Sequence, residues 1–292
     1  MRKPAMLLAL VLIATAFWPM AAQEPVVALP NKEGSLKFAV LGSSGTGEQP
    51  QYQLAEQMAN FRGRFKYDLV LLTGGNLYGS ERPQDFARKF ETPYKPLLDA
   101  GVTFRASLGP DDDANQRFYK LFNMDGKQYY TFSPSADVSF FALDSNYLDP
   151  VQLQWLEQQL QASKAAWKIA FFHHPLYSSD AAQKPNLDLR SLLEPLLVKY
   201  NVAVVLSGQG GFYERLKPQN GIAYFVVGSG GQLKAGGIDK SSGITGKGFD
   251  SDQAFLVAEI VGDEMFFIAI SREGQPIDSG VVRRQSITLA PS

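Results

Sequence analysis

The chain contains 292 residues, of which 45% are hydrophobic and 20% are charged, and its formal net charge is -1. These proportions are typical of a folded globular protein with a complete core, and they exclude a disordered or fibrous chain. With a net charge this small, no basic surface argues for nucleic acid or acidic lipid, so we expect no nucleic-acid partner. The chain has no cysteine, which excludes disulfides, thiolate metal ligands and lipid attachment through cysteine.

The first residues have the pattern of a secretory signal. Two basic residues precede an apolar run over residues 5–17, and Ala21 and Ala22 provide a small-residue cleavage site. We therefore expect a signal peptide over residues 1–22 and export to the periplasm or the extracellular medium; the alternative is an uncleaved anchor. No later segment reaches the roughly 20 apolar residues that a membrane span needs, so we expect no span in the mature chain.

The first half of the chain alternates apolar strand-like runs with helical patterns. The runs are rich in Val and Leu and end in glycine, which is typical of strands buried on both faces. The predicted strands are LKFAVLG (36–42), YDLVLLTGG (67–75) and VTFRASLG (102–109), with a helix over 51–61 between the first two and a helical stretch around Pro93 and Pro96 before the third.

The remainder continues with strands and two marked helices. Asp149 can cap a helix whose first turn contains Pro150, and a second helix is predicted over 189–200. Gly262 and Asp263 predict a hairpin turn between the last two predicted strands. The predicted strands are QYYTF (128–132), VSFFALDS (138–145), AWKIAFFHH (166–174), VAVVLSG (202–208), IAYFVVGSGG (222–231), AFLVAEIVG (254–262) and EMFFIAISREG (264–274).

Polar residues follow five of these strands directly. Ligands bind at the carboxyl ends of strands in open α/β sheets, so these loops are where a site is expected. The five segments read FAVLGSSGTG, LLTGGNLYG, ASLGPDDD, AFFHHPLYSS and VLSGQGGFYER.

The order and residue patterns of these five loops resemble those of the calcineurin-like metallophosphoesterases, most closely the purple acid phosphatase branch. In that family the loops read GDxG, GDxxY, GNH[DE], a histidine in a GHxP-like turn, and GHxH. The likeness covers nearly the whole mature chain, and five ordered motifs are more specific than any one alone. The resemblance implies one α/β domain over residues 23–292, built as a four-layer αββα sandwich of two mixed sheets. It also implies a binuclear metal site that activates water against a phosphate ester.

Most of the family's metal ligands are replaced when the motifs are carried across. Tyr78 and His173 keep the identity of family ligands, and Asp112 keeps the acid that follows the third-loop histidine. The replaced ligand positions are Ser43, Gly75, Pro110, Asp111, Gln209 and Gly211.

These replacements remove the anionic oxygens that two neighbouring metal ions require. The bridging carboxylate of the family falls on Gly75, which has no side chain, and Pro110 has neither a side-chain donor nor an N–H. Most replacements are small or neutral, so the pocket can fold without leaving unpaired carboxylates. We therefore expect no binuclear metal, and no cofactor unless a single ion binds.

Three functions remain open. The favoured one is an exported pseudophosphatase that binds a small molecule or an envelope protein without hydrolysis. The second is a hydrolase with one divalent iron, zinc or manganese ion at His173 with Asp111 or Asp112, in which His173 is the candidate catalytic residue. The third is a structural or envelope-assembly protein. The residues predicted to line a ligand pocket are Ser43, Asn76, Tyr78, His173, His174 and Gln209.

Overall fold

The computed structural model describes residues 26–284. The predicted signal peptide over residues 1–22 lies outside the described residues. Every helix within 26–284 is too short or too polar to cross a bilayer.

Strands and helical segments alternate through the first two thirds of the described chain, apart from one pair of successive strands, and only strands follow the last helix. The strands are β1 (Leu36–Leu41), β2 (Leu69–Thr73), β3 (Thr103–Ser107), β4 (Tyr130–Ser135), β5 (Val138–Ala142), β6 (Trp167–Phe172), β7 (Val204–Ser207), β8 (Tyr213–Leu216), β9 (Ala223–Val227), β10 (Thr245–Phe249), β11 (Ala254–Val261), β12 (Glu264–Ser271) and β13 (Pro276–Arg283). The helices are α1 (Gln49–Arg64), α2 (Pro83–Phe86), α3 (Lys95–Asp99), α4 (Pro150–Ala162) and α5 (Leu187–Lys199), with a π-helical turn at Ala87–Glu91 and 3₁₀ turns at Ala114–Phe118 and Lys120–Phe122.

Two capped helices follow from local side-chain chemistry. The Asp149 carboxylate accepts from the backbone N–H of Gln152 at 2.7 Å, which confirms the predicted cap of α4. Helix α5 begins two residues before its predicted start because Asn186 caps it, accepting from the N–H of Leu189 at 3.0 Å. The hairpin at Gly262-Asp263 is also confirmed.

The strands form two mixed sheets. The first has the order β13-β12-β11-β1-β2-β3, and its β1, β2 and β3 are parallel. The second has the order β10-β8-β9-β7-β6-β5-β4, and its β5, β6, β7 and β9 are parallel. The predicted pair of mixed sheets flanked by helices is confirmed.

Alternation along β6 shows how the layers are joined. Trp167, Ile169 and Phe171 belong to the core between the two sheets, whereas Ala170 and Phe172 belong to a second core under helices α4 and α5. Successive side chains of a strand point to opposite faces, so a continuous apolar run is buried on both. The layers therefore place the carboxyl ends of the parallel strands at one end of the sandwich.

Candidate functional site

The loops at the carboxyl ends of the two sheets are tied together by hydrogen bonds. The Ser43 hydroxyl donates to the carbonyl of Gly208 at 2.8 Å, and the Ser43 carbonyl accepts from the N–H of Gly231 at 3.0 Å. The N–H of Ser43 in turn donates to the carbonyl of Gly74 at 2.8 Å. Ser43 therefore joins the first, second and last motif loops, and its hydroxyl is directed at protein.

His173 is buried at the centre of these loops. Its side chain is 3% exposed, and its Nδ1 lies 3.1 Å from the carbonyl oxygen of Thr73. Burial, assisted by the neighbouring His174, lowers the pKa of His173 to about 4. The ring is thus neutral near pH 7, with Nδ1–H donating to Thr73 and Nε2 left as the acceptor.

His174 has a different partner. Its Nδ1 lies 2.9 Å from the Ser145 hydroxyl, which also accepts from the His174 N–H at 3.0 Å. The two imidazole rings are 5.2 Å apart and nearly perpendicular, at 88°. Their Nδ1 atoms thus contact different loops.

The Asp112 carboxylate is surrounded by donors from two loops. One oxygen accepts from the N–H groups of Gly75 and Gly109 and the other from those of Asn76 and Leu77, at 2.8–3.0 Å. The amide of the Gln116 side chain adds a further bond at 2.9 Å. Burial raises the pKa of Asp112 to about 6, although these donors act in the opposite direction. Since both oxygens accept hydrogen bonds, this geometry favours a role in linking the second and third motif loops over a role as a metal ligand. We call this link the Asp112 clasp.

The two neighbouring acids lie at the surface. Asp111 and Asp113 are exposed. The Asp113 carboxylate accepts from the N–H of Asn115 at 2.7 Å and caps the following 3₁₀ turn. Asp111, the residue at the family's histidine position, is therefore left facing solvent.

Tyr78 fills the space beside Gly75. A Cβ built on Gly75 would lie 2.5 Å from the Tyr78 hydroxyl and 2.8 Å from the Ser43 Cα, and the φ of Gly75 is +68°. Burial raises the pKa of Tyr78 to about 12, so its hydroxyl stays protonated. The space that a bridging aspartate would need is occupied by the phenol.

In the last motif loop, too, a neighbouring side chain takes the space that a ligand side chain would need. Gly211 has a φ of +69°, and a Cβ there would lie 2.9 Å from the Cβ of Lys234. Gln209 is half-buried, and its N–H donates to the His173 carbonyl at 3.0 Å. Pro110, in the third loop, is exposed.

Asn76 is buried beside the Asp112 clasp. Its amide nitrogen donates to the Ser107 carbonyl at 2.8 Å and to the Gln116 side chain at 3.2 Å. Its Oδ1 is buried and has no hydrogen-bond partner among the described residues. The amide therefore holds the second and third loops together rather than facing the cleft mouth.

Two residues that shape the site were not predicted from the sequence. Lys89 is 2% exposed, and its ammonium group donates to the carbonyls of Tyr78 and, at 2.6 Å, Ser80. Burial lowers its pKa. Gln116 contacts Asp112 and Asn76 as described. Neither carries a signal in the sequence, because a lysine or glutamine in a helical pattern is ordinarily exposed.

The side chains present do not fit a binuclear metal centre. Residues 26–284 contain no group of three His, Asp or Glu side chains close enough to hold a metal ion. Of the family-type ligands, Tyr78 is a protonated phenol beside Ser43, and His173 offers one nitrogen. A pair of divalent or trivalent ions needs several anionic oxygens, which this set does not provide.

The family model for calcineurin-like phosphoesterases matches residues 37–208. The chain is 27% identical over 255 residues to probable purple acid phosphatase 20 of Arabidopsis thaliana, an alignment that covers 74% of this chain and 56% of that protein. It is 23% identical over 290 residues to purple acid phosphatase 4 of the same plant, covering 85% of this chain and 84% of that protein. The chain thus spans little more than half the length of the first relative and most of the second.

Two solved structures have the same fold. The structure described as GAP50, the anchor in the inner membrane complex of Plasmodium, superposes with a TM-score of 0.76 at 20% identity, covering 87% of this chain and 90% of that one. Purple acid phosphatase PPD1 from yellow lupin superposes with a TM-score of 0.73 at 17% identity, covering 90% and 58%. From the family-model match, the relatives and the two-sheet fold, the chain belongs to the calcineurin-like phosphoesterase family, in its purple acid phosphatase-like branch.

Proposed function

We propose that this protein is a pseudophosphatase: it uses the metallophosphoesterase fold to bind a partner or ligand and has lost binuclear metal-dependent hydrolysis. The single observation that carries this proposal is that neighbouring protein atoms fill the space where metal-ligand side chains would stand. At Gly75 and Gly211, the missing ligand side chain is replaced by close contact with Tyr78 and Lys234. Restoring a carboxylate or imidazole there would require the neighbours to move.

The electrostatics of the cleft mouth support the same function. Asp111 and Asp113 are exposed there, and Asp112 between them is partly exposed. Without a bound cation, these charges repel a phosphate ester. The neutral His173 supplies no compensating positive charge near pH 7.

The comparisons are compatible with a non-catalytic member. One structural neighbour is described as an anchor in a membrane complex, whereas the other is described as a phosphatase. We extend the proposal to the rest of the chain: residues 1–22 direct export to the periplasm or medium, and 23–292 act as one domain. The pattern of residues 1–22 and the core that residues of both sheets share within 26–284 support this extension.

The test is metal analysis together with an activity assay. We expect the purified mature chain to contain no stoichiometric iron, zinc or manganese, and to hydrolyse neither phosphomonoesters nor diesters between acid and neutral pH. The matched control is a purple acid phosphatase with an intact ligand set, handled in the same buffers.

Stoichiometric metal with turnover would contradict the proposal. If that turnover disappears in His173→Ala, the second candidate, a hydrolase with one metal ion at His173, is correct instead. If neither metal nor activity is found, a separate screen for ligand-induced stabilisation distinguishes a binding protein from a purely structural one.

A further inference from the structure

Strand β4 leaves one edge of the second sheet open. It is the last strand of that sheet, and no described strand pairs with its outer side. Within residues 26–284, the backbone of β4 forms hydrogen bonds with β5 alone. Pro134 and a register shift after Phe132 restrict regular pairing to the first half of the strand. In that half, the free N–H and C=O groups are a template for another strand.

The other three edge strands of the described sheets have features that hinder such pairing. On β3, the carbonyl of Phe104 accepts from the Asn123 amide at 2.8 Å. The carbonyl of Ala106 accepts from the Tyr130 hydroxyl, also at 2.8 Å. β10 carries the exposed Lys247 between two exposed glycines, and β13 contains a proline, an aspartate and an arginine. Charged residues and proline discourage pairing between sheet edges, so β4 is the edge that is least protected.

Helix α4 lies beside the open edge. The half-buried Trp155 contacts the ring of Tyr129, which comes directly before β4, with ring centroids 4.9 Å apart. Val151 is one turn earlier on the same side of the helix and is 64% exposed. The strand and the helix thus present a common surface. We call it the β4–α4 face, formed by residues 128–133 and by the side of α4 that contains Val151 and Trp155.

The β4–α4 face has no charged residue. Residues 128–133 read QYYTFS and α4 reads PVQLQWLEQQLQA, whereas 20% of the whole chain is charged. The one charged residue of these two segments is Glu157, which lies on the side of α4 that faces α5. Its carboxylate accepts there from Lys199 at 2.7 Å and from Tyr200 at 3.0 Å. Depletion of charge together with exposed aromatic and aliphatic side chains is typical of the centre of a protein–protein interface.

A second copy of the chain fits this face. In a two-fold dimer the same surface of each copy meets its counterpart, so a charged residue near the axis would face a like charge. The β4–α4 face avoids that repulsion. A two-fold axis perpendicular to the sheet would pair the two β4 strands antiparallel near Thr131 and place both α4 helices on the same side. Val151 and Trp155 of each copy would then lie beside the joined edge.

From this arrangement we propose that the protein forms a two-fold dimer in which β4 pairs antiparallel with β4 of a second copy and the two α4 helices pack beside the joined edge. The strand of 6 residues and the helix of 13 each span roughly 20 Å, so the interface is small and the dimer dissociates on dilution. The motif loops of the two copies point in opposite directions. This dimer does not involve the His173 loops and does not rest on the proposed function.

The test is sedimentation equilibrium of the purified mature chain from low micromolar to submillimolar concentration, with amide hydrogen exchange measured at both ends of that range. We expect a reversible equilibrium between monomer and dimer. Exchange within residues 129–133 should slow at least tenfold at the high concentration, because N–H groups at the open edge become hydrogen-bonded. Exchange in the edge strand β10 should not depend on concentration, which provides an internal control.

Variants that add charge test the composition of the face. Thr131→Lys/Val151→Lys places like charges near the two-fold axis and should raise the dissociation constant of the dimer at least tenfold. The matched control, Thr103→Lys/Val198→Lys, adds the same charge at exposed positions of the edge strand β3 and of α5, and should leave the constant unchanged. Val151→Lys alone changes an exposed side chain, so it keeps the test decisive if the double variant does not fold.

Four results would overturn the proposal. The first is a chain that stays monomeric over the whole concentration range. The second is a dimer in which exchange within residues 129–133 does not depend on concentration, and the third is equal weakening of the dimer by the control variant. The fourth is protection of residues 129–133 that is lost on removal of residues 285–292, because the edge would then be covered by the chain's own C-terminal residues.

Discussion

At Gly75, both the backbone conformation and the lack of space disfavour a side chain. Its φ of +68° is unfavourable for any residue with a Cβ, and the Tyr78 hydroxyl stands 2.5 Å from where that atom would lie. Reversion to the family's aspartate would therefore have to displace the Tyr78 phenol. The present loop conformation and a bridging carboxylate exclude each other.

Gly79 provides a matched control for this steric effect. Its φ is +72°, and a Cβ there would meet nothing within 4 Å. We expect Gly79→Ala to lower the free energy of unfolding by about 1 kcal/mol, the backbone cost alone. Gly75→Ala should cost about 3 kcal/mol or more, because overpacking is added. Urea denaturation measures both, and equal losses would mean that the phenol moves aside without cost.

His173 makes stability depend on pH. The pKa falls from 6.5 to about 4 on folding, so between these values the unfolded chain binds more protons. Stability from this group is thus complete above about pH 7 and declines as pH falls toward 4. Burial has the opposite consequence at Asp112, whose pKa rises from 3.8 to about 6, so that acidification favours the folded state there.

A variant isolates the histidine contribution from that of Asp112. The destabilisation caused by His173→Gln should be about 2 kcal/mol smaller at pH 5 than at pH 7.5, because wild type alone loses the neutral-imidazole contribution. Denaturation at both values measures this difference, and the imidazole NMR signals report the pKa directly. The half-buried His174, substituted in the same way, should give a smaller change. A His173 signal that titrates near 6.5 would disprove the assignment.

At the scale of elements, an ion pair joins the edge strand β13 of the first sheet to β8, the second strand of the other. Asp278 on β13 accepts from the Tyr213 hydroxyl at 2.7 Å and from the Arg215 guanidinium at 2.7 and 3.0 Å, both on β8. The side chain of Asp278 is 5% exposed and that of Arg215 is 30% exposed. Loss of the carboxylate removes the hydrogen bonds to the Arg215 guanidinium and takes the acceptor from the buried Tyr213 hydroxyl.

We expect Asp278→Ala to lower the free energy of unfolding by about 3 kcal/mol, as measured by urea denaturation. The control is Glu264→Ala, which breaks the exposed pair between β12 and β13 and should cost less than about 1 kcal/mol. A similar loss in both variants would mean that burial of the Asp278 pair contributes nothing.

Strands were predictable from the sequence where burial is continuous, and were missed where it is not. Strands β1, β2, β6 and β7 are apolar runs that end at glycine or histidine, so their positions follow from composition. The unpredicted β8, β10 and β13 read YERL, TGKGF and PIDSGVVR. β10 and β13 lie at sheet edges and are largely not buried, so glycine, proline and charged residues are tolerated there.

The site was predictable as a set of loops but not as a set of contacts. The motifs placed Ser43, Tyr78 and His173 in neighbouring loops, and the structure brings those loops together. That Asp112 accepts five hydrogen bonds, and that a buried lysine supports the Tyr78 loop, depends on distances between separate loops. A linear sequence contains no record of such distances.

At the scale of the whole molecule, the two ends of the sandwich differ in character. The end with the motif loops carries exposed acids and a neutral imidazole, whereas the opposite end carries Lys164 and Lys168, which form no salt bridge within residues 26–284. Both are attached to one core that runs between the sheets and includes residues of each. A substitution at one end is therefore expected to affect the other only through global stability.

The Asp112 clasp affects how far the folding of the loops depends on the supply of transition metals. It fastens the second and third loops with hydrogen bonds made entirely from the chain, four of them to backbone N–H groups. We expect the loops to reach this arrangement whether transition metals are scarce or abundant around the protein. The amount of this protein in a cell starved of iron or zinc would then depend on its synthesis and turnover, and not on the supply of metal.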